Sequence, residues 1–300
     1  MKQSLPVHQH YSLKSILLSH GWSGLDPFKV NPDYQSITFA FSGKSKPALL
    51  TITQSKNQLD IETTRKLNVA ELETLKDMFG LGAPLDDFFK LANAHDRAWI
   101  QKHKLGRLMR AETVFEDLIK LILTTNCTWS LTKKMVSDLC KELGEEIKGV
   151  HCFPKPDVLA KQKENFFKDT VKTGYRAPFI SKISKMVASG ELDVESWKND
   201  TRPYIEMKKQ ILSLPGAGPY VAENLLRYLG KYDGLGVDSW VRGRLKEMWN
   251  ARKQPDDKKI LKQYKKFNEY KGLMLWCDVT KDWHVTTVVE NSKRSSKISG

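Results

Sequence analysis

The stretch Leu214-Pro215-Gly216-Ala217-Gly218 joins two runs of helical periodicity, MKKQILSL before it and YVAENLLRYLG after it. Five residues allow only a tight turn, so the two helices must fold back on each other as an antiparallel pair. In the second run Val221, Leu225, Leu226 and Leu229 share a face that the turn brings against Ile211 and Leu212. Gly216 and Gly218 each permit positive φ and carry no side-chain bulk, so backbone N–H groups there can approach another surface closely. These groups lie where the second helix begins, at the positive end of its dipole, a setting that suits a phosphate. Taken alone, the GxG also fits an ordinary αα-corner.

The segment downstream of the hairpin adds a second constraint. Val237-Asp238 stands twenty positions beyond Gly218 and immediately before SWVRGRLKEMW, a further helical run. Aspartate is a preferred helix N-cap, and a cap fixes its carboxylate on a rigid element while leaving lone pairs for other work.

Upstream, the pattern changes from period 2 to period 3.6. SITFAFSG (36–43), ALLTITQ (48–54) and QLDIETT (58–64) are β-rich runs separated by SGKSKP and SKN, and Leu59 and Ile61 share one face. Helices are predicted over 69–81, 84–103, 111–125 and 131–144, with Val114, Leu118, Leu121 and Ile122 forming a buried stripe in the third. PFISKISKMVAS and KKILKQYKKFNEYKGLMLW continue the helical body. The expected fold is therefore α+β. A small N-terminal antiparallel sheet domain (1–107) leads into a mostly helical body (108–290), with the helix-hairpin-helix at about 204–230. A polar, basic tail (291–300) is expected to be disordered.

The hairpin followed by Val237-Asp238 resembles the helix-hairpin-helix (HhH-GPD) DNA glycosylase superfamily. TTNCTW (124–129) and TGYRAPFI (173–180) are similar to segments of the 8-oxoguanine and 3-methyladenine glycosylases, and the order of sheet domain then helical body agrees. The resemblance covers most of the chain, strongly over 111–245. It implies a DNA N-glycosylase of base excision repair acting on duplex DNA with a damaged base. In that chemistry the nucleotide leaves the stack, because its sugar is otherwise inaccessible. Cleaving the base–sugar bond creates an oxocarbenium-like sugar, which Asp238 would stabilise while orienting or deprotonating water. The turn Leu214, Pro215, Gly216, Ala217 and Gly218 would hold a DNA phosphate. Asn126, Tyr175 and Arg176 would fill the gap left by the nucleotide, Tyr175 as a wedge and Arg176 as partner to the orphaned base. Candidate base-pocket residues are Trp129, Phe179, Tyr220, Asn224 and Trp276, with Gln210 as a further polar candidate.

Strand-cutting members carry a lysine two residues after the second hairpin glycine, where this chain has Tyr220. Tyrosine has no amine for a Schiff base, so hydrolysis without strand cleavage is expected. The alternatives are a lyase using another lysine, such as Lys231, and a DNA-binding module without catalysis. Aromatic pocket candidates slightly favour a cationic alkylated purine over 8-oxoguanine.

Charge supports a polyanionic partner: Lys plus Arg number 49 against 35 Asp plus Glu, a formal +14. KKILKQYKK (258–266), Arg242 and Arg244 are candidate phosphate contacts. Four scattered cysteines without a CxxC pair point to neither zinc, nor an iron–sulfur cluster, nor a disulfide framework. No cofactor or metal ligand is expected; a structural monovalent cation at the hairpin is left open. No apolar run is long enough for a membrane span and no secretory signal is evident, so an intracellular monomer in the cytoplasm or nucleoid is expected. HExxH and GxSxG motifs are absent, which disfavours other hydrolases.

Overall fold

The computed structural model describes residues 1–43 and 46–285; the expected tail at 291–300 lies outside the described residues. Its strands are β1 (Lys2–Pro6), β2 (Phe28–Val30), β3 (Ser36–Phe41), β4 (Ala48–Ser55), β5 (Gln58–Thr63), β6 (Glu146–Ile147) and β7 (Val150–His151). Helices up to the body's midpoint are α1 (Leu13–Leu17), α2 (Val69–Met78), α3 (Asp86–Asn93), α4 (Ala98–Lys102), α5 (Val114–Leu123), α6 (Trp129–Leu143) and α7 (Pro156–Ala160). They continue as α8 (Ala177–Ala188), α9 (Tyr204–Leu212), α10 (Pro219–Tyr228), α11 (Ser239–Met248), α12 (Asp257–Tyr264), α13 (Lys271–Val279) and α14 (Lys281–Val285). No helix among the described residues is long and apolar enough to cross a membrane.

Two compact units emerge. The first joins residues 1–82 with 107–200, and the second joins residues 83–106 with the described residues from Thr201 onward. Residues 83–106 thus group with the C-terminal helices, whereas sequence alone places the boundary of the sheet domain at 107. The grouping has a physical anchor in the second unit. Arg97, just before α4, donates from Nε (2.9 Å) and Nη2 (2.8 Å) to the Asp278 carboxylate on α13. Tyr264 Oη donates to the same carboxylate at 2.9 Å, and Phe88 of α3 packs on Tyr270.

In the first unit the sheet is antiparallel, in the order β1-β5-β4-β3-β2. The middle three of its five strands are those expected from the sequence. The outer two, β1 and β2, are a five-residue and a three-residue segment whose strand character depends on their partners rather than on a local pattern. Period 2 sets the faces: Ile37 pairs with Ile52 and Phe39 with Leu50, and Leu59 and Ile61 are buried on β5 as expected. This inner face packs on Leu13, Ile16 and Leu17 of α1 and on Leu75 and Met78 of α2. Asn68 and Glu71 close the start of α2 with a reciprocal capping box.

Two expected helices are broken. The 84–103 run divides into α3 and α4 around Asp96, whose φ is +59°. The 258–276 run divides into α12 and α13 across Asn268, whose φ is +47°. Asp and Asn tolerate the left-handed region better than most residues, so each marks a local break that apolar spacing alone does not reveal.

Helix α5 is buried along its whole length, including Glu116, Asp117 and Lys120. Lys120 Nζ pairs with Glu116 Oε1 at 2.5 Å and lies over the Phe28 ring. Removing either partner would strand a buried charge, a loss of about 3–5 kcal/mol. Asp117 Oδ1 accepts from Trp22 Nε1 (2.6 Å) and from the Ala111 N–H (3.0 Å). Burial outweighs these donors and pushes the Asp117 carboxyl up to about 7. With the folded value above the unfolded one, this group's contribution to stability is full below the ordinary 3.8 and is lost as pH rises through about 7. Asp117→Asn keeps the accepting oxygen and removes the titration. Urea midpoints followed from about pH 4 to about pH 8 should therefore decline less steeply for this variant than for the parent.

Candidate active site

The second unit builds its chemistry around the loop between α10 and α11. Asp238 caps α11: its Oδ1 accepts from the Val241 N–H at 2.7 Å. The side chain is half-buried, and burial holds its carboxyl above the usual carboxylate range. The Val241 N–H and the charge of Arg227 oppose that rise. Asp238 is therefore fixed in direction by the cap and partly desolvated, both of which suit a carboxylate that meets a developing cation.

The loop itself is gripped from three sides. Gly236 has φ +60°, and a Cβ there would strike the Arg227 guanidinium. A Cβ on Gly272 of α13 would strike the carbonyls of Gly234 and Tyr232, so helix and loop touch backbone to backbone; the Gly272 N–H donates to Tyr232 O at 2.8 Å. A Cβ on Gly234 would meet the Tyr204 hydroxyl. Glycine is needed at these places because another backbone or a large side chain occupies the space.

Helices α9 and α10 form the expected hairpin. Gly216 sits at φ +75° within the turn. Gly218 does not use the positive φ open to it: it is extended, with φ −83° and ψ −176°, as the N-cap residue of α10. Its value lies instead in open space, since a Cβ there would meet nothing within 4 Å and no side chain caps the helix. Leu214 and Ala217 are buried, tying the turn to the unit, while Pro215, Gly216 and Gly218 remain partly exposed. Val221, Leu225 and Leu226 are buried opposite buried Ile211, but Leu212 turns outward and is 39% exposed. The buried residues of α9 are Met207 and Ile211, four residues apart and so on one face.

Three pocket candidates from the sequence are linked through a residue that motif spacing passes over, Arg227. Asn224 Nδ2 donates to Tyr220 O (2.8 Å), and Arg227 Nη1 donates to Asn224 Oδ1 (2.9 Å). The Arg227 guanidinium lies over the Trp276 ring, 5.1 Å from its centroid. Trp276 in turn neighbours Trp240 (5.8 Å) and Trp283 (6.2 Å), all three partly exposed. The available signal is an arginine on the buried side of an otherwise apolar amphipathic helix. Gln210 accepts from Arg202, and Lys231 Nζ donates to Arg202 O at 2.7 Å. Arg242 and Arg244 are ion-paired with Asp257 and with Glu247 and Asp282, whereas Lys258, Lys262, Lys265 and Lys266 on and after α12 are exposed.

The first unit gathers the gap-filling candidates at one tip. Asn126, exposed with φ +47°, lies between α5 and α6. Its Nδ2 donates to Tyr175 Oη (3.3 Å), which also donates to Thr125 O (3.3 Å). Tyr175 is 51% exposed, and Phe179 meets it edge-on. Arg176 points inward rather than to solvent: it is 4% exposed and hydrogen-bonds Thr125 O, Thr125 Oγ1 and Thr173 O. It stands beneath Tyr175 and buttresses the tip. Trp129, at the start of α6, packs against Gly21, where a Cβ would come within 2.5 Å of the indole.

The profile of the HhH-GPD superfamily of base excision DNA repair proteins matches residues 119–269, which include the hairpin, the clamped loop and Asp238. The chain belongs to this superfamily. A relative from Methanothermobacter thermautotrophicus named "Probable N-glycosylase/DNA lyase" is 26% identical over 194 residues, covering 57% of this chain and 61% of that protein. The chain thus spans less than two thirds of that relative's length. Among solved structures, the 8-oxoguanine glycosylase/lyase of Clostridium acetobutylicum in its apo form superimposes with a TM-score of 0.72 at 19% identity, covering 93% of this chain and 96% of that one. The 3-methyladenine DNA glycosylase of Archaeoglobus fulgidus gives 0.70 at 16% identity, covering 96% and 100%. These likenesses establish the HhH-GPD fold.

The dual position of Asp238 can be separated experimentally. Its folded carboxyl is held above the ordinary value, so ionising it detracts from stability. Asparagine caps helices as well as aspartate does but bears no charge. Asp238→Asn should therefore melt no lower than the parent at neutral pH. Asp238→Ala should lose about 1 kcal/mol with the cap and melt a few degrees lower by calorimetry.

Proposed function

We propose that this protein is a DNA N-glycosylase of base excision repair that everts a damaged purine from duplex DNA and releases it by hydrolysis. The observation that carries this reading is Asp238, partly desolvated and held as a cap in a glycine-clamped loop directly after the hairpin. In this mechanism the α10 N-terminus and the glycine turn hold a phosphate, the exposed pair Asn126 and Tyr175 enters the vacated gap, and Arg176 supports Tyr175 from below. Asp238 faces the sugar as the glycosidic bond lengthens, stabilising the positive charge and directing water to the anomeric carbon.

Water rather than an amine is the nucleophile in this proposal. Tyr220 occupies the position of the Schiff-base lysine, and Lys231 is committed to Arg202 O. The relative named as a lyase and the Clostridium glycosylase/lyase differ from this reading in activity, so lyase function is the outcome to test against. Among lesions, an alkylated purine is favoured. Trp240, two residues after Asp238, and its ring neighbours Trp276 and Trp283 supply flat π faces, whereas Asn224, the polar candidate for telling 8-oxoguanine from guanine, has both ends of its amide engaged.

Duplexes containing 3-methyladenine, 7-methylguanine or 8-oxoguanine, treated with alkali after incubation, report base release. Release from an alkylated duplex is expected, with Asp238→Asn slower by about 10²–10⁴-fold. Borohydride should trap no protein on abasic DNA; efficient cross-linking would establish a lyase instead. If no damaged duplex loses its base while duplex binding persists, a non-catalytic binding module is the correct reading. Because the proposed phosphate contacts are electrostatic, duplex affinity should fall steeply between about 50 and 200 mM salt.

A further inference from the structure

Helix α10 sends two charged side chains of opposite sign to one peptide bond of the Asp238 loop. Glu223 Oε2 accepts from the Gly236 N–H at 2.5 Å, and Arg227 Nη2 donates to the Leu235 carbonyl at 2.8 Å. These N–H and C=O groups belong to a single peptide unit, Leu235–Gly236, two residues before Asp238. Glu223 and Arg227 are four residues apart and so project from the same side of the helix. The peptide plane is therefore held at both of its polar ends, each by a charge-assisted hydrogen bond.

Both holds are themselves anchored. Lys208 of α9 pairs with Glu223 at 2.5 Å, linking the first helix of the hairpin to the clamp. Asn224 receives Arg227 Nη1 and passes the connection to Tyr220 O at the start of α10. Arg227 forms no ion pair with a carboxylate among the described residues; it donates to the neutral oxygens of Asn224 and Leu235. Its positive charge is buried and uncompensated by contact, and it acts through space on Asp238.

We propose that Glu223 and Arg227 are positioning residues for base excision: a charged clamp on the Leu235–Gly236 peptide that sets the place of Asp238 and couples it to the DNA-binding hairpin. The inference rests on the reading of Asp238 as the catalytic carboxylate. The groups facing Asp238 are the Trp240 and Val241 N–H donors of α11 and, from α10, the Arg227 guanidinium. Loss of the guanidinium removes the cationic one, so the carboxyl should hold its proton to higher pH.

The test uses the full chain with Arg227→Met, Arg227→Lys and Glu223→Gln. Single-turnover base release is followed across pH on the duplex the parent processes best, and duplex affinity is measured by anisotropy. Arg227→Met is expected to slow release about 100-fold, the scale of a small misplacement of a reacting group. Duplex Kd should stay within about threefold, and the acid limb of the pH profile should move upward. Arg227→Lys should return the limb toward its parental place while the rate remains depressed, because lysine restores charge but not the two-pronged geometry. Glu223→Gln should slow release with the limb unmoved. Rates within about twofold of parent in Glu223→Gln and Arg227→Lys, or losses accounted for wholly by weaker duplex binding, would overturn the clamp. Carbon-13 titration of the Asp238 carboxyl in parent and Arg227→Lys, or in Arg227→Met where it folds, requires no catalysis. An unchanged titration in Arg227→Met, or in Arg227→Gln should the methionine variant not fold, also overturns it. A parent that releases no base, combined with an upward shift in that titration, would instead reject the glycosylase reading and leave the clamp standing.

Discussion

A peptide bond held by a carboxylate on its N–H and a guanidinium on its C=O has little freedom to rotate, and the loop that leads to Asp238 is restrained in that way. The loop after α10 contains three glycines and would otherwise sample many backbone states. Instead Glu223 and Arg227 fix Leu235–Gly236, Gly272 abuts the loop's carbonyls, and Asp238 closes the next helix. The glycines here serve close approach, and the flexibility they bring is removed by the contacts they permit. A carboxylate can then be both half-buried and sharply aimed, two conditions that a mobile loop would not maintain together.

Burial of charge recurs in the first unit with a different result. On α5, Lys120 and Glu116 neutralise one another by direct contact, and Asp117 is surrounded by neutral donors that fail to offset its desolvation. Arg227 is the intermediate case, a cation whose two terminal nitrogens donate to neutral oxygens and which lies over an aromatic face. In each, the surroundings decide whether charge is cancelled, suppressed or retained for use.

The hairpin, the middle three strands and the capping of α11 by Asp238 are legible in residue type and spacing, whereas Asn126 and Tyr175 are brought together beforehand only by the family resemblance. Strands β1 and β2 are not, because a short edge segment becomes a strand only through a partner far away in sequence. The breaks at Asp96 and Asn268 stay hidden because apolar periodicity continues across them. Gly218 shows that a glycine motif does not specify which glycine takes positive φ. Arg176 and Arg227 show the same difficulty from opposite directions: an arginine expected to reach an orphaned base is buried, and one that reads as part of a helix face is central. Long side chains fold toward whichever acceptors the tertiary structure supplies, and those acceptors are not written beside them in the chain.

The backbone-to-backbone meeting of Gly272 with the carbonyls of Tyr232 and Gly234 seats the loop at one point by main chain alone. No side chain mediates that contact, so it does not depend on which rings Trp240 and Trp283 present nearby, whereas Trp276, stacked on Arg227, is tied to the clamp. Substitution at Trp240 or Trp283 would leave that backbone contact in place. A loop seated by main chain alone at one point can keep its place while the rings around it drift in sequence.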